Sequence, residues 1–242
     1  MSVALIPGGA RGIGRAIGLA LAARGDAVSV LYRSSEADAK TFVSEAAAKG
    51  GRGHAIRADV SRPEDVARAV AETESALGPI DILVHAAGPY HRVELLAETP
   101  EGWREMIESN LTSLFLVSRI VGPKMAERGK GRIVAFSMAN ADRLSAQPGV
   151  TAHYIAKAGV LVLVRTLAKV LGPKGVTVNA ISPGFIASGS APDAELQKMV
   201  KNIPAGYVGE LKDAVAAVRF LLSEEARYVT GANIHLSGGW GI

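Results

Sequence analysis

The sequence predicts an α/β fold, a single doubly wound domain spanning residues 1–242 on a parallel seven-stranded sheet. Two observations carry that expectation. Short β-branched runs alternate with longer stretches whose apolar residues recur at helical spacing, the rhythm of repeated βαβ units. The strand runs are apolar almost throughout instead of at alternate positions, as parallel strands are when helices cover both faces of the sheet. The first strand is expected at 3–6, before a glycine-rich turn and a helix over 12–24. The second, at 27–32, leads into a helix over 37–49, and the third, at 54–57, into one over 63–77. A fourth at 80–85 precedes a long helix over 103–128, and a fifth at 133–136 precedes a helix over 151–171. The sixth, at 176–181, is followed by a helix over 213–222 and a last strand at 233–236. No linker, low-complexity tract or run of like charge divides the chain.

Composition narrows the function. With 48% hydrophobic and 21% charged residues the chain can bury a large core, which excludes disordered, collagen-like and disulfide-stapled classes. There is no cysteine, so disulfides, thiolate metal sites and a cysteine nucleophile are excluded, and the cytoplasm is the expected compartment. Residues Met1 to Gly9 have no basic segment and too short an apolar run for a signal peptide, and no later segment has the about 18 uninterrupted apolar residues of a membrane span. The formal charge of +4 suggests an acidic or phosphorylated partner. Nucleic acid is set aside, because no basic stripe is interleaved with aromatics, which make up 5% of the chain. The histidines at 54, 85, 91, 153 and 235 show no metal-ligand spacing, so no metal is expected, and no G-x-S-x-G elbow supports a hydrolase triad.

Directly after the first strand comes Pro7-Gly8-Gly9-Ala10-Arg11-Gly12-Ile13-Gly14, a G-x-x-x-G-x-G spacing that opens a helix. Glycines here let the backbone turn sharply and approach a pyrophosphate, while the helix N-terminus offers free N–H groups and a positive dipole to that anion. A tight turn with no ligand also selects glycine, but the place between first strand and first helix points to a Rossmann-like dinucleotide site. The second strand ends Tyr32-Arg33-Ser34-Ser35, beside the expected adenine ribose. An acidic residue there would accept from the 2′-hydroxyl of NAD, whereas Arg33, Ser34 and Arg11 of the glycine loop suit the 2′-phosphate of NADP. NADP(H) is the expected cofactor.

At this point the chain resembles the short-chain dehydrogenase/reductase family, from Val3 to Trp240. The glycine loop is similar to that family's T-G-x-x-x-G-x-G with Pro7 in the threonine place. Asp59-Val60 resembles its adenine contact and His85-Ala86-Ala87-Gly88 its N-N-A-G loop. Asn110 matches the asparagine of the family's catalytic tetrad, and Pro183-Gly184-Phe185-Ile186-Ala187-Ser188 its P-G-x-I-x-T nicotinamide segment. The tail from Phe220 through Thr230-Gly231 to Gly238-Gly239 is also close. The nearest likeness is to the 3-oxoacyl-acyl-carrier-protein reductase group. The resemblance implies hydride transfer between nicotinamide and a carbonyl or alcohol, with a Tyr-x-x-x-Lys pair and an upstream serine. It also implies that Lys157 binds the nicotinamide ribose, and that the two long helices form the subunit interface of a homotetramer, with a dimer second.

The catalytic helix departs from that pattern. It reads Ala152-His153-Tyr154-Ile155-Ala156-Lys157, so Tyr154 precedes Lys157 by three positions and His153 takes the family's tyrosine place. The upstream serine is displaced too: strand alignment puts Met138 in its place and Ser137 one residue earlier, and the loop to Lys157 looks longer by about two residues. Three readings stand. Tyr154 donates the proton from a bent helix start, assisted by Lys157; or His153 donates it; or the fold keeps cofactor affinity and has lost carbonyl reduction while Tyr154 packs. The first is preferred. Ser137 either polarises the substrate carbonyl or is satisfied by backbone, with Ser145 and Asp142 as spare candidates. The stretch 185–208 looks like a lid over the pocket, with Met199, Ile203 and Tyr207 as lining candidates. The expected activity is reduction of a ketone or 3-oxoacyl thioester, free or bound to acyl carrier protein. The alternative is an NADP-binding sensor or interaction module with weak catalysis.

Overall fold

The computed structural model of the chain describes residues 1–189 and 192–241. Strand β1 (Val3–Pro7) runs into α1 (Gly12–Ala22), followed by β2 (Ala27–Tyr32), α2 (Glu36–Ala48), β3 (Arg52–Arg57) and α3 (Pro63–Leu77). Next come β4 (Ile82–His85), α4 (Pro100–Ile107), α5 (Ser113–Glu127), β5 (Gly131–Phe136), α6 (Thr151–Leu171) and β6 (Val176–Pro183). The chain closes with β7 (Ile186–Ala187), α7 (Asp193–Met199), β8 (Gly209–Glu210), α8 (Leu211–Leu222) and β9 (Asn233–Leu236).

Seven strands form one parallel sheet in the order β3-β2-β1-β4-β5-β6-β9. Their continuous apolar character has a direct cause, since alternate residues feed two separate cores. Val3 and Leu5 of β1, with Ile133 and Ala135 of β5, pack under α3, α5 and α6 against Val70, Leu114, Val117 and Val160. Ala4 and Ile6 of β1, with Val134 and Phe136 of β5, face Ile17, Leu21, Phe42 and Val218 of α1, α2 and α8. The chain order reverses between β1 and β4, and in an open α/β sheet a ligand binds outside the carboxyl ends of the strands at such a point.

Two departures from expectation have physical reasons. The helix expected over 103–128 starts earlier, at Pro100, where Thr99 Oγ1 accepts from the Gly102 N–H at 3.0 Å. It is also broken by a π-helical turn, Glu108–Thr112. Within that turn the Asn110 amide donates to the Met106 carbonyl, so the side chain takes an acceptor that the helical backbone would otherwise use. The second departure is the pair β7–β8, two residues each, too short to leave a periodic signature.

Candidate active site

The glycine loop folds tightly onto the end of β4. Gly8 has φ +77°, and a Cβ there would lie 2.7 Å from the Ala86 oxygen and the Ala87 nitrogen. A Cβ on Gly14 would lie 2.5 Å from the Gly8 oxygen, so the loop and the first turn of α1 lie in near-contact. Arg11 is the N-cap of α1 with no side-chain capping bond, and no acidic residue sits in the first turn, which leaves the N-terminal N–H groups with their positive potential. Beside this loop is a cleft of about 290 Å³ lined by Gly8, Arg11, Arg33, Ser34, Asp59, Val60, Ala87 and Gly88, all expected from the sequence. Tyr32, Pro89 and Ser109 line it as well, positions that no motif singled out.

The two arginines face the cleft with exposed carboxylate neighbours: Arg33 Nη2 lies 3.2 Å from Glu105 Oε1, and Arg11 Nε 3.8 Å from Asp38 Oδ2. Exposed pairs of this kind contribute about 0–1 kcal/mol, little enough for a phosphate to displace them. Asp59 is less free than expected, since its Oδ1 accepts from the Ser61 N–H at 3.0 Å and the Ser61 hydroxyl at 2.6 Å. On the far side, the segment after β6 closes towards the glycine loop: a Cβ on Gly12 would lie 3.5 Å from the Ser188 oxygen. Pro183 ends β6, Gly184 packs on Ser237, and Ile186 is buried in β7. Ile13 packs against the core under α1.

The catalytic candidates divide sharply. Asn110 is fully buried, its Nδ2 donating to the carbonyls of Pro89 and Met106 at 3.0 Å each, while its Oδ1 has no partner. Lys157 is also buried, and its Nζ donates to the Phe136 carbonyl at 2.9 Å. Burial lowers the Lys157 pKa to about 8. Both converge on Gly88, where a Cβ would lie 2.1 Å from Asn110 Oδ1 and 3.4 Å from Lys157 Nζ. His153 is 7% exposed, with the Tyr90 ring edge-on to its own at a centroid distance of 5.1 Å. Burial first, then the Lys157 charge, lowers its pKa to about 3, so the ring is neutral at physiological pH.

Tyr154 is a correction. Its hydroxyl donates to the Asn140 carbonyl at 2.9 Å and accepts from the Ser145 N–H at 3.0 Å, and its ring belongs to the core beneath α6. One residue on from His153 along a helix is a rotation of about 100°, which turns Tyr154 into the loop after β5. It anchors that loop instead of pairing with Lys157. Ser137 is corrected in the same sense, because its buried hydroxyl donates to the Lys157 backbone carbonyl at 2.7 Å and ties β5 to α6. Ser145 serves the Tyr154 anchor, and Asp142 Oδ2 lies 2.9 Å from His235 Nε2 on β9. Of the lid candidates, Ile203 is buried, within 2.8 Å of a Cβ placed on Gly238, Met199 is half-buried, and Tyr207 lines a second cavity of about 360 Å³ with Phe185 and Leu236. Lid positions 190 and 191 lie outside the described residues.

The site suits a dinucleotide on structural grounds, since Gly8 and Gly14 let the loop pack against the end of β4 and the start of α1 where any Cβ would strike backbone, and the orphaned Asn110 oxygen lies against Gly88, which lines the cleft. Comparison with known proteins agrees. Residues 8–241 match the family model described as enoyl-(acyl carrier protein) reductase. The chain is 36% identical over 238 residues to a 3-oxoacyl-[acyl-carrier-protein] reductase of Synechocystis sp., covering 98% of this chain and 96% of that protein. It is 38% identical over 241 residues to an acetoacetyl-CoA reductase of Rhizobium meliloti, covering 98% and 97%. Among solved structures, a blue fluorescent protein from a metagenomic library in complex with NADPH superposes with a TM-score of 0.93 at 34% identity, over 100% of this chain and 98% of that one. A short-chain dehydrogenase/reductase mutant of Serratia marcescens superposes with a TM-score of 0.93 at 30% identity, again over 100% and 98%. Among the described residues no helix is long and apolar enough to cross a membrane. The chain belongs to the short-chain dehydrogenase/reductase family.

Proposed function

We propose that the chain is an NADP(H)-dependent oxidoreductase that reduces a ketone or a 3-oxoacyl thioester, free or carried on acyl carrier protein, to the alcohol. The observation that carries this reading is the convergence of Asn110 Oδ1 and Lys157 Nζ on Gly88, at the inner end of the glycine-loop cleft. The names of the Synechocystis and Rhizobium relatives supply the substrate class, and the NADPH complex of the blue fluorescent protein supports the cofactor. Bound NADPH supplies a hydride to the carbonyl carbon. The N-terminus of α1 and the glycine loop hold the pyrophosphate, and Arg11, Arg33 and Ser34 hold the 2′-phosphate. Lys157 offers its buried ammonium to the nicotinamide ribose, and Asn110 keeps the π turn and the Pro89 loop in register beneath it. The segment from Pro183 to Ser188 walls the nicotinamide side.

The chain acts as one NADP-binding domain in the cytoplasm and assembles as a homotetramer, with a dimer second. Helices α5 and α6 leave Phe115, Ile155 and Val162 at 48%, 45% and 62% exposure, apolar surface that a second copy would cover. The test follows NADPH absorbance on mixing purified protein with diketones, aldehydes and acetoacetyl thioesters. Turnover of at least one class supports the reading; tight NADPH binding with no turnover across the panel moves the assignment to an NADP-binding sensor.

A further inference from the structure

We propose, on the footing of that oxidoreductase reading, that His153 is the proton donor of this chain, its imidazole passing a proton in at one nitrogen and out at the other. Its position carries this first. His153 lies four residues before Lys157 on α6, hence on the same helix face, and Tyr154 is spent on the loop. The second support is a vacancy in hydrogen bonding: His153 Nδ1 is buried without a partner, an arrangement that costs about 1–3 kcal/mol and calls for a functional cause. The groups that face the ring are few. Lys157 comes from its own helix; the loop after β4 contributes the Pro89 carbonyl, the edge of Tyr90, and His91, which is paired with Glu98 at 2.7 Å. No carboxylate is among the groups that shift His153; only the hydrogen bond to the Pro89 carbonyl favours the imidazolium, and burial and the Lys157 charge outweigh it.

A neutral imidazole carries one N–H donor and one lone-pair acceptor, which a phenol cannot match at two separate atoms. The hydride adds to the carbonyl carbon, the π pair moves onto the carbonyl oxygen, and that oxygen takes the N–H proton of His153. The other ring nitrogen accepts a proton from Lys157 Nζ, directly or through one water, and the ring ends neutral as the opposite tautomer. Lys157, with its pKa lowered to about 8, holds a proton at neutral pH, releases it readily and recovers one from solvent. The sum is one carbonyl, one hydride and one proton to one alcohol.

His153→Gln keeps a neutral polar side chain that cannot relay. It is expected to lower kcat by about 10²–10⁴-fold, with the NADPH Kd, read by fluorescence titration, held within roughly twofold. His153→Tyr places a phenol four residues before Lys157 and is expected to keep turnover. Independently of activity, the His153 ring resonance, assigned by its loss in His153→Gln, is expected to stay that of a neutral imidazole as pH falls through 6.5. Wild-type kcat in His153→Gln overturns the inference and leaves the oxidoreductase reading intact, whereas an inert wild type alongside an active His153→Tyr overturns both and moves the chain to the NADP-binding sensor. If neither wild type nor His153→Tyr consumes NADPH while both bind it, the oxidoreductase reading falls as well.

Discussion

The cofactor cleft and the catalytic face lie at neighbouring strand ends yet follow different rules. In the cleft, function is set by backbone: Gly8 and Gly14 pass within 2.7 and 2.5 Å of where a side chain would collide, so the motif and the geometry are nearly one statement. On the α6 face, side-chain direction decides: His153 shares a face with Lys157, while Tyr154, one residue on, turns into the loop after β5 with no change of fold. Backbone-determined sites therefore tolerate little drift in sequence, whereas side-chain-determined ones can be rebuilt on an unaltered scaffold.

The contrast is sharpened most by Lys157→Met, which removes the buried ammonium while keeping its length. Turnover is expected to fall by about 10²–10⁴-fold in steady-state assays. Stability should respond in the opposite sense. The Lys157 pKa is about 8 folded against its ordinary 10.5, so between these the unfolded chain binds more protons and wild-type stability rises with pH. Denaturant midpoints measured across that window should lose this rise in Lys157→Met; an unchanged slope would contradict the buried-cation account.

On the cofactor side, Gly14→Ala forces its Cβ against Gly8 and should cost about 1–3 kcal/mol of stability by chemical denaturation, with NADPH affinity down roughly tenfold or more. Arg33→Ala should weaken NADPH by about tenfold and leave NADH nearly unchanged, as measured by paired titrations. Equal loss for both cofactors would remove Arg33 from the phosphate. A gentler test concerns acid. His85 and His153 both have their pKa lowered from 6.5 to about 3, chiefly by burial, so the unfolded chain takes up more protons in that interval. Stability is therefore lost as pH falls below 6.5, and His153→Gln should make the denaturant midpoint less sensitive to pH there.

Much of the fold was legible because its signals are local. The α3 and α6 bounds, 63–77 and 151–171, follow from apolar spacing alone, and the glycine loop announces the cleft. The π turn was not legible, because it depends on Asn110 choosing the Met106 and Pro89 carbonyls, one of which is 21 positions away. The direction of Tyr154 was hidden for the same reason, since its partners Asn140 and Ser145 lie in a loop of no regular period, where Asn140 and Leu144 adopt positive φ. His153 in the tyrosine place was visible as a register fact, and the Lys157 charge beside it already argued for a neutral ring, yet only the structure shows that the ring is buried and its Nδ1 unpartnered.

The smallest expected effect is the most telling. Tyr154→Phe removes only the hydroxyl that holds the loop, so kcat and the NADPH Kd, measured side by side with wild type, should stay within about threefold while stability drops by about 1–3 kcal/mol. A kcat reduced a hundredfold or more with NADPH binding intact would restore Tyr154 as the proton donor and contradict the division between a retained cleft and a rebuilt catalytic face.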